Sequence, residues 1–494
     1  MKTLLISSTK HLMLAITYGV LGIIVALLFT GIWFLNSRPE LSLWHTTQLS
    51  SQYHHDMHLT DFEQYIALED ELFAEMESKV FTQTTELTHQ PLNRYVPGSY
   101  SDPQKWPYDW NRSFEWQSPQ AEFGLLLIHG MSDSPYSMSH FAQHFKPKAH
   151  ILGLRLPGHG TLPSGLVDVT WQEMAEVVAL ATEHMRKTLA GKPLYVVAFS
   201  TGAALALNHE LEALSRNKGA SYAGLIFISP AIGLTPVAAG AKWQDRLGRF
   251  LGLEKLSWNA IQTEYDPFKY NSFAVNAGDV VYQLAVRNQQ LLNKLSLEQK
   301  AQLADVLTFQ SVADDTVSTP DVIIGLYQRL ALKHNQLVLF DINRMDVNMA
   351  LITNDPMEAL KPLIVPKQMQ YELTIVQNQH QRINEHTLQI IPDVEVVRYR
   401  ADQEPYHEPL SLAWPTEVYS LSHVALPFPA SDEIYGPYKG EPNYRVHIGA
   451  AAIRGERGVF GVPAAETLRQ KWNPFFPYMI ERIENYIEAE QSEQ

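Results

Sequence analysis

No cysteine occurs in the 494 residues. That absence excludes a disulfide framework, a Cys-ligated metal and a thiol nucleophile together. It also lets the chain sit in an oxidising compartment without mispairing. Positive charge is scarce: 38 Lys and Arg against 53 Asp and Glu leave a formal net charge of −15. This argues against nucleic-acid binding, which needs a basic face. Internal repeats and low-complexity tracts are missing as well. Hydrophobic residues at 45% and charged residues at 18% make an ordinary globular mixture, which argues against wholesale disorder. The length allows one large domain with insertions, or two to three domains.

Charge is absent altogether between Lys10 and Arg38. The run LMLAITYGVLGIIVALLFTGIWFL is long and apolar enough to span a bilayer, which takes roughly 20 residues. A cleaved signal peptide has a shorter apolar region and a small-x-small cleavage site, and no clear site is present. Residues 1–40 are therefore expected to be an uncleaved, single-pass anchor. Lys2 and Lys10 before the run, against Arg38 after it, put the N-terminus in the cytoplasm and the body outside it. Residues 41–113 read as an extension: a polar, amphipathic helix over Leu59–Gln83, then a Pro- and aromatic-rich loop laid over the body.

From Phe114 onward, continuous apolar runs alternate with amphipathic helices. FGLLLIHG, HILGLRLPGHG, PLYVVAFS, AGLIFISPAI, DVLTFQSVADD and QLVLFD read as strands, and Thr170 is placed to cap the helix after PGHG. The pattern predicts an α/β, doubly wound, mostly parallel sheet covered on both faces, spanning residues 114–494. In such sheets function gathers at the carboxyl ends of the strands. Two stretches break the alternation, about 233–304 and about 342–416, and both are expected to be insertions.

Ser200 ends YVVAFS, Asp314 ends LTFQSVAD, and His423 follows EVYSLS. Serine, acid, histidine is the chain order of a nucleophile elbow on a doubly wound sheet. A serine hydroxyl attacks only when a histidine takes its proton, and a carboxylate must hold that histidine's tautomer. The oxyanion formed needs fixed backbone donors. By position these are the N–H groups of Thr201, after the nucleophile, and Met131, after the HG turn. Rivals exist for each role. Ser200 alone reads equally well as a helix cap. Asp315 and Asp341 also end strands. His380, His386, His407 and His447 lie downstream, but only His423 has an apolar run before it and VALPF anchoring the turn after it. His129 and His159, in the HG and PGHG loops, read as loop supports. His54 and His58 have a helical i, i+4 spacing but no evident third ligand, so a solvated helix face is expected rather than a metal site. The aromatic residues of Glu264–Phe273 suit either the lining of an acyl pocket or the core of a lid.

Together LLLIHGMSDSP, LRLPGHG, AFSTG, SVADDTVS and SLSHVALPF resemble the α/β-hydrolase superfamily, in its serine esterase and lysophospholipase-like branch, over Phe114 to about Gly436. The resemblance implies Ser200 as nucleophile, Asp314 as acid and His423 as base, with the Met131 and Thr201 amides as oxyanion hole, and a lid over about 233–304. The family's small-x-x-Asp spacing selects Asp314 over Asp315. Two departures stand out. Ala198 replaces the usual first glycine of the elbow, and His423 lies 109 residues beyond Asp314, so the stretch 342–416 must loop out and return. The expected activity is carboxylic ester hydrolysis without metal or organic cofactor. The anchor and lid point to lipid-derived acyl esters such as lysophospholipids or acylglycerols. A general carboxylesterase, a thioesterase and a catalytically silent binding module of the same fold stay open.

Overall fold

A computed structural model describes residues 2–233, 253–330, 334–365, 369–379, 393–415, 418–437, 445–449 and 471–493. Its centre is a ten-stranded sheet. In chain order the strands are β1 (Phe114–Trp116), β2 (Phe123–Ile128), β3 (Ala149–Leu154), β4 (Leu194–Phe199) and β5 (Gly224–Ile228). A separate small ribbon, β6 (Trp258–Ala260) and β7 (Phe273–Ala274), precedes β8 (Asp305–Ser311), β9 (Gln336–Phe340), β10 (Glu372–Asn378), β11 (Asp393–Tyr399) and β12 (Tyr406–Ala413). The spatial order is β1-β3-β2-β4-β5-β8-β9-β10-β11-β12. Strands β2 to β5 and β8 to β10 run parallel, while β1 at one edge and β11 and β12 at the other are antiparallel.

Strands β2 to β5 and β8 are buried at every position because both faces are covered. Alternate residues feed two cores. Leu126, Ile128, Val196, Ala198, Leu225 and Phe227 enter one; Leu125, Leu127, Tyr195, Val197, Ile226 and Ile228 enter the other. The helices, in chain order, are α1 (Lys2–Ser37), α2 (Phe62–Met76), α3 (Ser139–Phe145), α4 (Trp171–Leu189), α5 (Thr201–Ser215), α6 (Val275–Lys294), α7 (Thr319–Gly325) and α8 (Phe476–Glu493). Helices α4, α5 and α6 cover the first face; α3 and α8 cover the second. Thr170 caps α4 as its sequence predicts. Its hydroxyl accepts from the Glu173 amide (3.2 Å) while the Glu173 carboxylate accepts from the Thr170 amide (2.9 Å).

The two irregular stretches are built differently from one another. Residues 234–252, in the stretch expected to be a lid, lie outside the described residues. The rest of that stretch includes α6, which packs on α5 and carries the chain from β5 towards its parallel neighbour β8. It is a crossover helix with an amphipathic pattern like α4. The stretch 342–416 supplies β10, β11 and β12, which lengthen the sheet at its edge. Its exit and return are clipped together by Asn343. The Asn343 amide nitrogen donates to Tyr419 O (2.6 Å) and the side chain to Val418 O (2.7 Å).

The segment before β1 packs on the body. Tyr65 donates to Arg155 O (2.9 Å), and Glu69 pairs with Arg155 (2.8 Å) with both side chains buried. Helix α1 contains one stretch, Met13–Leu35, long and apolar enough to cross a membrane, with mean hydropathy 2.3. A signal sequence has the same composition. Just beyond it, Arg38 donates to the carbonyls of Lys255 and Trp258 (2.6 Å each).

Candidate active site

Strand β4 passes into α5 through Ser200, whose backbone is forced to φ 55° and ψ −115°. A non-glycine residue there carries about 1–3 kcal/mol of strain and persists only if its surroundings hold it. They do: the Ser200 amide donates to Ile228 O (2.9 Å), and Ser200 O accepts from Ala231 N (3.1 Å). The side chain makes no capping bond to α5. Its Oγ lies instead 3.0 Å from His423 Nε2, which removes the helix-cap reading.

The tightness of the turn falls on Gly202 rather than on residue 198. A Cβ at Gly202 would lie 2.5 Å from Ile128 O and 2.6 Å from His129 O, so α5 presses against the end of β2 there. Ala198 is fully buried in the core with its methyl accommodated.

His423 opens a short 3-10 turn, His423–Ala425, and packs against the Phe199 ring (centroids 4.9 Å apart). Its Nδ1 lies 3.1 Å from Asp314 Oδ2. An ionised carboxylate only accepts, so Nδ1 carries the proton and Nε2 is free to accept from the serine hydroxyl. Asp314 Oδ1 accepts from the amides of Thr316 (2.9 Å) and Val317 (3.0 Å). Burial pushes this carboxyl up, but the His423 ring and the two amides outweigh it and hold it below the ordinary aspartate value.

The neighbouring Asp315 is exposed. Asp341 is engaged by Arg344 (2.5 and 2.9 Å). His407 pairs with Glu395 on the sheet edge (3.1 Å). His380 and His386 lie outside the described residues. His447 lies in the described segment 445–449.

Met131 follows the end of β2, and Thr201 opens α5 directly after the serine. Among the described residues, neither backbone N–H has a hydrogen-bond acceptor within the chain. Backbone N–H groups without an acceptor are the kind of donor that a developing oxyanion requires. His129 and His159 serve their own loops. His129 donates to Gly130 O (2.8 Å) and accepts from Leu156 N (3.1 Å), and burial lowers its pKa well below the usual histidine value. His159 donates to Pro157 O (2.9 Å), and burial lowers it to about 4. His54 and His58 sit either side of a 3-10 turn rather than on a helix face, and His54 pairs with Glu173 (3.1 Å). Among the described residues no group of three His, Asp or Glu side chains is arranged to hold a metal.

With the fold and this arrangement in view, the chain can be compared with known proteins. Residues 125–393 match the family model described as "Alpha/beta hydrolase family". The chain belongs to the α/β-hydrolase family. Among solved structures similar to this hydrolase-family chain is that described for LipS and LipT, two metagenome-derived lipolytic enzymes. It is 19% identical and covers 47% of this chain and 88% of its own, with a TM-score of 0.37. Monoacylglycerol lipase from Paleococcus ferrophilus is 17% identical, covering 46% and 87%, at 0.35. A soluble variant of monoglyceride lipase from Saccharomyces cerevisiae is 15% identical, covering 46% and 81%, at 0.37. No curated protein matches the chain.

Reading the hydrolase sequence alone misses Gln310. Its Nε2 donates to Asp314 Oδ2 (3.1 Å), the oxygen that also receives His423 Nδ1. The available signal is a glutamine near the carboxyl end of strand β8, fully buried. The Glu264–Phe273 segment turns out to be packed core. Phe268 stacks on Tyr136 (4.5 Å) and meets Trp106 edge-on (5.2 Å).

Proposed function

We propose that the protein is a serine hydrolase that cleaves carboxylic esters through an acyl-enzyme. Ser200 Oγ attacks the ester carbonyl, and its proton passes to His423 Nε2. Asp314 orients the imidazole and stabilises the imidazolium, and the Met131 and Thr201 amides receive the oxyanion. The imidazolium then protonates the leaving alcohol. Water, activated by the same histidine, releases the acid and restores Ser200. No step calls for a metal or an organic cofactor. The observation that carries this reading is the continuous hydrogen-bonded line from Asp314 through His423 to Ser200, at 3.1 and 3.0 Å, in a strained elbow. Strain of that kind is retained where a site uses it.

The preferred substrates are lipid-derived acyl esters, such as lysophospholipids or acylglycerols. Support comes from α1, whose apolar run suits a single-pass anchor holding the catalytic domain beside a bilayer, on its non-cytoplasmic side. Residues 1–40 are then the anchor, 41–113 an extension that packs on the body, and 114–494 the hydrolase domain. A silent binding module would be free to lose a member of the Ser200–His423–Asp314 line, and the intact line favours the enzyme.

The test is labelling of the full-length protein in detergent by a fluorophosphonate probe. The parent should label and Ser200→Ala should not. A parent that fails to label sinks the hydrolase reading; labelling that persists in the variant sinks Ser200. Rates on p-nitrophenyl esters of rising chain length, beside matched thioesters, separate a lipid esterase from a short-chain esterase or thioesterase. Protease accessibility in spheroplasts checks the topology.

A further inference from the structure

The turn that carries Met131 does not hold itself. Ser132, the next residue, sits at φ 65°, in the left-handed region. Among the described residues, the one backbone bond closing the turn is a long one, Asp133 N to Gly130 O at 3.3 Å. His129 Nδ1 also donates to Gly130 O (2.8 Å), and the Ser132–Asp133 part of the turn is held by two consecutive residues in the β6–β7 connection. Tyr270 N donates to Ser132 O (2.8 Å), and Lys269 Nζ pairs with Asp133 Oδ1 (2.5 Å). The Asp133 side chain is only 6% exposed. Its other oxygen leaves no room for a Cβ at Gly130, which would lie 2.8 Å away.

The clamp is itself anchored. Asp266 Oδ1 accepts from Phe268 N (3.0 Å) and Lys269 N (3.1 Å), and its Oδ2 accepts from Tyr435 (2.5 Å) on the loop beyond His423. The Tyr270 hydroxyl accepts from Thr161 N (2.8 Å) and donates to Gly158 O (3.1 Å) in the PGHG loop.

We infer that Lys269 is a positioning residue for the oxyanion hole, acting through Asp133 on the Met131 amide. The inference rests on the hydrolase reading above. Two physical effects act together. The ion pair fixes the strained turn, and so aims the Met131 N–H. The ammonium also neutralises a buried carboxylate two residues from Met131, whose charge would otherwise oppose the oxyanion. A clamp of this kind acts on the transition state, where the oxyanion exists, more than on the bound ester.

The full-length protein in detergent is titrated with a fluorophosphonate, and rates are expressed per labelled site. Lys269→Met should lower kcat about 10- to 100-fold, since loss of an entire oxyanion donor costs about 10²–10³. KM should stay within about threefold. The inhibition constant of a trifluoromethyl ketone, which forms the oxyanion, should rise in step. Lys269→Arg should recover most of the rate. Lys269→Met with Asp133→Asn should lose less than the two losses multiplied.

Parental kcat and ketone affinity per labelled Lys269→Met site would overturn the inference, even if thermal stability falls. Should Lys269→Met not fold, Asp133→Asn, which leaves no unpaired acid, takes its place: a reduced kcat per site supports the clamp and a parental one refutes it. A parent that does not label removes the hydrolase reading and this inference with it, whereas a labelling parent with a parental variant removes this inference alone.

Discussion

The middle of the sheet and its β10–β12 edge are built to different standards. Strands β4 and β8, which end at Ser200 and lead into Asp314, are buried at every residue and have parallel neighbours on both sides. Strand β12 alternates exposed and half-buried residues, contains Pro409 and carries paired charges such as Arg398–Glu408. An edge of that kind resists pairing with another chain. The centre must hold side chains to within a few tenths of an ångström, so every neighbour constrains it. The edge needs only to be soluble and to return the chain to the right point. That is how about eighty residues can stand between β9 and His423 without disturbing the 3.0 Å contact to Ser200.

The strongest break in this contrast is a pair of neighbours at the end of β8. Asp314→Asn should lower kcat by about 10³–10⁴-fold, because the amide cannot fix the required histidine tautomer. Asp315→Asn, an exposed side chain, should leave kcat within about twofold. Steady-state rates per labelled site decide between the two acids. The Asp314 carboxyl is held below its ordinary value despite burial, chiefly by His423. Its contribution to stability is therefore present above the unfolded aspartate value of about 3.8 and is lost as pH falls through the lower folded value. Asp314→Asn should flatten the acid limb of the Tm profile below about pH 4.

The next largest effect lies in the elbow, where two small residues are not equivalent. Gly202→Ala drives a methyl into two backbone carbonyls that cannot move aside. It should cost about 2–3 kcal/mol in chemical denaturation and reduce activity with it. Ala198→Gly should cost under about 1 kcal/mol and leave the rate within threefold. Equal losses at the two positions would break the assignment of the close approach to Gly202.

These two regions also divide what could be read beforehand. Ser200, Asp314 and His423 are legible because each lies just beyond an apolar run and their order suits one chemistry. Thr170 is legible because a cap needs only local sequence. Helix α6 is not, since an amphipathic pattern states that a helix has a buried face and not which surface it meets. The strand-like runs of β10 and β11 are visible, but the pairing that joins them to the sheet, Glu372 beside Gln336, links residues far apart in the chain, and nothing local says that they extend the sheet. Gln310, Asn343 and Lys269 escape for the same reason: their roles are long-range contacts made by common residue types.

Asn343 joins the two regions, and its removal should have an intermediate effect. Asn343→Ala deletes the side-chain bond to Val418 O, leaving a buried carbonyl unsatisfied, at about 1–3 kcal/mol. Because the return leads directly to His423, kcat should fall several-fold while labelling by a small fluorophosphonate slows in parallel. A stability loss with unchanged kcat would show that the edge and the site are mechanically separate.

The smallest effect belongs to the edge itself. His407 on β12 pairs with Glu395 on β11 at 3.1 Å, but its side chain is 57% exposed. Ion pairs this open to water give about 0–1 kcal/mol, because solvent screens the attraction and two side chains lose freedom. His407→Ala should therefore shift the denaturation midpoint by under about 1 kcal/mol equivalent and leave kcat and KM at parental values. His407 is also a histidine downstream of Asp314, as His423 is. If its loss lowered kcat as His423→Ala should, the edge would be part of the chemistry and the contrast between the two regions would fail. If the rate holds while His423→Ala abolishes it, burial and the line to Ser200 are what distinguish one histidine from the other.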